Sequence, residues 1–506
     1  MITQRDGLTL FSLFKVIVTA ETLNRPPVHA DPRRWRALGV IAIAQLMVVL
    51  DASIVNIALP SAQADLNISD ANRQWMVTAY TLAFGGFLLL GGRIADYSGR
   101  KRCFVIGLVG FAVASAIGGA ANGQEMLFAA RALQGLFGAL LAPAALSLLT
   151  VTFTDVRERA KAFGVYGAIA GGGAAIGLIV GGVLTEYLDW RWCLFVNIPI
   201  AILAAVAARR VLSESKADGS TSYDIPGAVL STLGLVSLVF GFTQAETHGW
   251  GSPKSWGYLV AAGFLLVGFV VWELRSDNPL LPMRVLTERN RGGAYLTSLL
   301  LGVGMFGMFL FMTYYFQLIL GYSALKTGFA FLPFSIGIIV SAAAASQLLP
   351  RFGPRATMLT GFVLAILGML GLAQLTPTSS YGAHVLPVLT AMAIGMGLIF
   401  VPLSNTALTG VKNHDAGVAS ALVNTTQQIG GSLGTALLNT IAASATTAYI
   451  VSHGVSAQAR AEGTVHGFTT AFYWSAAFLA VAAVAVAVLV NTKAETAHDG
   501  APAHFG

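Results

Sequence analysis

Two charged side chains stand in stretches that are otherwise apolar. Asp51 falls beyond the midpoint of the stretch 37–60, and Arg131 falls inside the stretch 125–152. An ionisable group near the middle of a bilayer costs several kcal/mol, so it faces a water-filled cavity or a partner and usually takes part in moving something. An acid that can load and release a proton, with a base that can compete for it, is the chemistry of a proton-coupled carrier. Both are expected to face the central cavity from the N-terminal half, because exposure to lipid is the costly alternative. The plainer roles are a packing aspartate and a structural arginine.

The elements that must position them are membrane helices. A chain of 506 residues that is 55% hydrophobic and 10% charged, with mean hydropathy +0.71, is polytopic rather than soluble. The net charge of +7 does not mark a nucleic-acid surface, since Lys and Arg sit in short loops rather than on one face among aromatics. Apolar runs recur at 37–60, 74–93, 103–121, 125–152, 162–185, 193–211, 225–245 and 257–273, then at 292–320, 327–348, 355–375, 385–408, 416–446 and 467–490. Fourteen spans place both termini on one side. One set of loops holds only Arg73, Arg191, Lys254, Lys326 and Arg460; apart from Arg131, the rest of the 30 Lys and Arg lie on the side of the termini. The positive-inside rule makes that side cytoplasmic. Cys103 and Cys193 then fall at opposite faces, which excludes a disulfide between them. Residues 1–36 hold a short apolar run broken by Lys15, read as an interfacial helix or a loosely ordered leader without a function.

The loop after the second span reads Gly92, Arg93, Ile94, Ala95, Asp96, Tyr97, Ser98, Gly99, Arg100, Lys101, Arg102. Its glycines allow a tight reversal, its cations anchor the inner face, and its acid can cap a neighbouring helix. It resembles the signature loop of the major facilitator superfamily, with Tyr97 in place of a usual basic residue. The resemblance implies a gating role for Gly92, Asp96, Gly99 and Arg100. Leu50 to Pro60 and Trp75 to Tyr80 are similar to motifs of the fourteen-helix drug:proton antiporters, and Arg131, Ala132, Leu133, Gln134, Gly135 to the family's intramembrane arginine motif, whose Arg is linked to proton transfer. In helix 5, Gly164, Gly173, Gly177, Gly181 and Gly182 keep the spacings of the family's antiporter motif, with Leu178 at the place of its proline. Small residues every fourth position form a groove for close approach of another helix. Asp189 to Trp192 with Phe195 to Pro199 resembles the same branch. Helices 7 and 8 are similar to its inserted central pair and are expected at the periphery. Setting them aside leaves two comparable halves, and Arg351 to Arg355 echoes the signature loop with Pro350 where Asp96 stands.

The expected fold class is an all-α membrane protein with the major facilitator fold: two six-helix bundles plus a central inserted pair. The expected divisions are a cytoplasmic segment 1–36, an N-terminal bundle 37–211, an insert 212–290, a C-terminal bundle 291–490 and a cytoplasmic tail 491–506. Soft and aromatic side chains crowd helix 9, and a polar run crosses helix 13. The candidates for the substrate cavity are Asn56, Tyr80, Gln134, Met312, Phe316, Asn424 and Gln427. No histidine lies well inside a span and no phosphate-binding loop is present, so the chain is expected to be neither an enzyme nor an ATP-driven pump, with no metal and no cofactor beyond the coupling proton. The expected function is a proton-coupled antiporter of the multidrug type in a bacterial cytoplasmic membrane. It would export small amphipathic organic compounds as a monomer among membrane lipids, without nucleic acid. The alternatives are a dedicated exporter of one metabolite, lipid or siderophore, and a membrane receptor or scaffold with a vestigial carrier fold.

Overall fold

A computed structural model describes residues 33–491 except 71, 154, 217–223, 278, 282, 410 and 412–415. The leader and tail expected at 1–36 and 491–506 lie almost wholly outside the described residues. Within them, every regular element is a helix. That is what long apolar runs dictate, because lipid offers backbone groups no partner and each segment must satisfy its own.

The N-terminal half comprises α1 (Arg34–Asp65), α2 (Trp75–Ser98), α3 (Arg100–Gly119), α4 (Gln124–Thr152), α5 (Val156–Tyr187) and α6 (Asn197–Val211), the last preceded by a short turn, Trp192–Phe195. The insert is α7 (Ile225–His248) and α8 (Pro253–Arg275). The C-terminal half begins with α9 (Arg289–Tyr314), which tightens into a π turn at Tyr315–Ile319. One continuous stretch, Ala324–Leu372, follows, and Gly353 divides it into α10 (324–352) and α11 (354–372). A second π turn, Tyr381–Val385, leads into α12 (Leu386–Leu408), then α13 (Ala416–His453) and α14 (Ala457–Leu489). Among the described residues, eleven helices are long and apolar enough to cross a membrane. Splitting one of them at Gly353 and adding α5 and α13 yields the fourteen expected spans.

The two halves reverse direction at matching places. Gly99 between α2 and α3 has φ 116°, and Gly353 between α10 and α11 has φ 75°. Both values belong to glycine, so the echo of the signature loop in the second half is a backbone requirement even though its acid is gone. Some expected ends were too early: α1 runs through Pro60 to Asp65, and α13 continues to His453. The residues after those runs, 61–65 and 447–453, simply continue the helices past the most apolar stretch.

The core of the N-terminal half centres on Phe84, Phe104, Phe111 and Phe153. The C-terminal core, with Phe311, Phe316, Phe331 and Phe362, continues without a break into Ile54, Ile57 and Leu59 of α1 and into Trp190 and Leu194. The halves therefore share one core at the face opposite the chain termini. The insert packs through α7, with Phe240 against Trp75 of α2 at 4.8 Å and Thr440 of α13 donating to the Phe242 carbonyl at 3.2 Å. Helix α8 leaves Phe264 and Val267 exposed, as the expected periphery requires.

Candidate functional site

Asp51 and Arg131 meet. Arg131 Nη1 donates to Asp51 Oδ2 at 2.7 Å and to Gln134 Oε1 at 2.7 Å, while its Nε donates to the Met76 carbonyl at 3.0 Å. Asp51 Oδ1 accepts from Gln134 Nε2 at 2.9 Å and from Asn197 Nδ2 at 2.8 Å. Both amides reach Ser115 Oγ, at 2.8 and 3.4 Å. The guanidinium lies over the Tyr80 ring, 4.5 Å from its centroid. Five helices, α1, α2, α3, α4 and α6, supply this one network. Asp51 is 0% exposed and Arg131 is 2% exposed.

That burial corrects the expected orientation. The pair does not face a central cavity; it is enclosed within the N-terminal bundle, whose own amides saturate the carboxylate. Toward the face opposite the termini, Arg131 borders a pocket of about 10 Å³ between Val55, Leu59, Met76, Leu127 and Leu194. That is at or below what one water needs, so the pair is shut off on that side.

The glycines of α5 place this network. A Cβ on Gly173 would stand 3.0 Å from Val49, one on Gly177 2.7 Å from Ser53 Cβ, and one on Gly181 3.0 Å from Ile54 Cα. Each addresses α1 on either side of Asp51, so the groove is occupied by the helix that carries the acid. Gly182 faces the other half, where a Cβ would stand 2.5 Å from Leu325 Cα of α10. Gly164 falls in a part of α5 whose packing lies outside the described residues.

In the signature loop, Asp96 pairs with Arg100 at 2.9 Å, and Gly92 lies against Pro143 of α4. A partner the sequence did not reveal holds the loop. Glu214, after α6, accepts from the backbone amides of Lys101 and Arg102 at 3.0 Å each, capping α3, and Arg100 donates its amide to the Ser215 carbonyl at 3.0 Å. Its carboxylate would lie 2.9 Å from a Cβ on Gly99, so that position needs glycine for room as well as for φ.

Four of the seven cavity candidates are sealed in packing. Tyr80 and Gln134 serve the ion pair. Met312 and Phe316 are fully buried in the C-terminal core, with Phe316 stacked on Tyr322 at 5.9 Å and edge-on to Phe331 at 5.3 Å. Their apolar surfaces are consumed by neighbouring rings rather than offered to a ligand in this conformation. Asn56 and Gln427 are half-buried and Asn424 is exposed.

The structure adds a seal that sequence reasoning missed. Arg73 Nε donates to Asn439 Oδ1 at 3.1 Å, and the guanidinium lies 4.4 Å from the Tyr314 ring centroid. Asn439 Nδ2 donates to the Asp70 carbonyl at 3.0 Å, Tyr314 OH to Gln63, Gln317 Nε2 to the Ile57 carbonyl at 2.9 Å, and the Leu325 amide to Glu186 at 2.9 Å. Thr81 and Ser432, at 2.7 Å, also join α2 to α13, and the bonds from Arg73, Tyr314, Gln317 and Leu325 gather at the face opposite the termini. Asn439, an amide beyond the polar run of helix 13, was a legible hint.

The Major Facilitator Superfamily profile matches residues 41–435. The puromycin resistance protein pur8 of Streptomyces alboniger is 50% identical over 472 residues, which cover 93% of this chain and 94% of that one. The cephamycin export protein CmcT of Amycolatopsis lactamdurans is 40% identical over 415 residues, covering 81% and 85%. Among solved structures, a bacterial homologue of the human lysosomal transporter Spinster superposes with a TM-score of 0.62 at 15% identity, over 90% of this chain and 96% of that one.

Proposed function

Because the chain belongs to the Major Facilitator Superfamily, whose members are carriers and not enzymes, we propose that it exports amphipathic organic compounds in exchange for protons, with Asp51 as the proton carrier. The observation that carries this reading is the buried pair of Asp51 and Arg131 at 2.7 Å. A proton on Asp51 competes with Arg131 for the same oxygens, so loading it breaks the ion pair and frees α1 from α4. The same helix is held by the α5 glycines and, through the Ile57 carbonyl, by Gln317 of the other half. Protonation is thereby linked to the contact between halves, as alternating access requires.

The loop cations support termini on the cytoplasmic side, and on that reading the sealed face is the outer one and the conformation is inward-facing. The relatives named for puromycin and cephamycin support a substrate of the antibiotic class, and puromycin is the first compound to test. In proteoliposomes with an imposed pH gradient, the protein is expected to drive puromycin uphill, whereas Asp51→Asn should lose uphill transport and keep counterflow. Equal uphill transport by Asp51→Asn would remove Asp51 as the carrier. Activity with one compound of a chemically varied panel would favour a dedicated exporter, and absent counterflow in wild type a receptor or scaffold.

A further inference from the structure

The foot of the α7–α8 hairpin, on the face of the termini, holds two acids that the transport reading does not use. Asp224 caps α7: its Oδ1 accepts from the Gly227 amide at 2.9 Å and from Trp272 Nε1 at 2.6 Å, and its Oδ2 accepts from the Leu280 amide at 3.2 Å. Glu273 Oε2 accepts from the Leu281 amide at 2.9 Å. Glu273 Oε1 has no partner, although the residue is 3% exposed and Asp224 only 7% exposed. Asp224 Oδ2 and Glu273 Oε1 each lie 2.6 Å from the place a Cβ on Gly227 would take. The two oxygens are therefore no farther apart than twice that distance, across a gap that the missing side chain leaves.

Among the described residues no cation pairs with either acid, and Arg275, Asp277 and Arg284 nearby in sequence are exposed. On α2, Arg93 and Asp96 are engaged with Tyr97 and Arg100. The first half of α13 brings no charge, and His248 is at the far end of α7. Two ionised carboxylates facing each other while buried repel and lack solvation, whereas one proton between them makes a hydrogen bond and satisfies Oε1.

We propose that Asp224 and Glu273 form a second proton-binding site, holding one shared proton that clamps the feet of α7 and α8 together. The site is independent of the role proposed for Asp51. Since α7 packs on both α2 and α13, the clamp bears on the seam between the halves.

The test uses the full chain in detergent, in an Asp51→Asn background, without substrate. Thermal unfolding is followed against pH, together with the infrared carbonyl band of a protonated carboxyl group. The shared proton is bound only by the folded protein, so its stabilisation is present at low pH and lost as pH rises past the point where the folded pair releases it. In Glu273→Gln the amide nitrogen donates to Asp224 as the proton does, while the amide oxygen accepts from Leu281. This variant should unfold a few degrees higher than its parent at high pH, show a flatter profile, and lack the titrating band. Asp224→Asn keeps the cap through its Oδ1 but turns its NH2 toward the Leu280 amide; it should lose the titrating band and flatten the profile without the gain in stability, and it serves if Glu273→Gln does not fold. Unchanged profiles and band in the variants would overturn the proposal, as would stabilisation of the parent, but not of Glu273→Gln, by sodium or calcium.

Discussion

At the scale of residues, the acid and the base are not equally dispensable. Without Asp51, Arg131 keeps Gln134 Oε1, the Met76 carbonyl and the Tyr80 ring. Without Arg131, Asp51 is a buried charge held only by the amides of Gln134 and Asn197. Breaking a buried pair by removing one partner typically costs about 3–5 kcal/mol. At a pH where Asp51 is ionised, Arg131→Ala is therefore expected to lose stability of that order, measured as a drop in unfolding temperature, and Asp51→Asn less; at low pH, where Asp51 sheds its charge by taking a proton, the loss should shrink. If Arg131→Ala unfolds at or above the temperature of Asp51→Asn, the carboxylate does not depend on its partner. Adding Asp51→Asn to Arg131→Ala should recover part of the loss, because contacting residues are not additive. Asp51, Arg131 and Gln134 were legible because charge and amide are rare in apolar runs. Ser115 and Asn197 were not, since a partner 146 positions from Asp51 has no local signal.

Elements explain why α5 is glycine-rich. A methyl on Gly177 would collide with Ser53 at 2.7 Å, whereas one on Gly172 would meet nothing within 4 Å. Overpacking a tight contact costs about 1–3 kcal/mol, while alanine in an open helical position gains about 0.5–1 kcal/mol over glycine. Gly177→Ala should lower the unfolding temperature and slow export, and Gly172→Ala should leave both unchanged or raise stability. Equal effects at the two sites would mean that helix flexibility, rather than the approach of α1, requires glycine. The fourth-residue spacing was visible in the sequence, and so were the fourteen spans and the pseudo-repeat. Which helix fills the groove was not, because spacing describes one surface and not its partner. The cap from Glu214 to the signature loop was hidden for the same reason: an acid in a short polar tail looks like any solvated charge.

For the whole molecule, the conformation itself could not be read from the sequence. Two states of a carrier differ by a few kcal/mol, and one sequence must permit both. What selects the present one is the seal opposite the termini, in which Arg73 is the cationic member. Its bond to Asn439 is charge-assisted, a class that contributes about 1.5–3 kcal/mol when one partner is ionised, and the Tyr314 ring lies beneath the same guanidinium. Since 1.4 kcal/mol is tenfold in an equilibrium, Arg73→Ala should move the balance toward opening of the sealed face by about tenfold or more. The fold of each half should survive, because apart from the pair with the exposed Asp70 at 3.3 Å the lost contacts join the halves and leave both cores intact. Spin labels on Tyr187→Cys and Ser323→Cys, two exposed positions at the sealed ends of α5 and α10, report that opening as a distance distribution. Arg73→Ala should add a longer component, whereas Arg460→Ala, another cation on the same face, should not. If the distribution stays at its original distance in Arg73→Ala, the seal rests on the continuous apolar core from Ile54 and Ile57 to Phe311, and Arg73 is incidental to it.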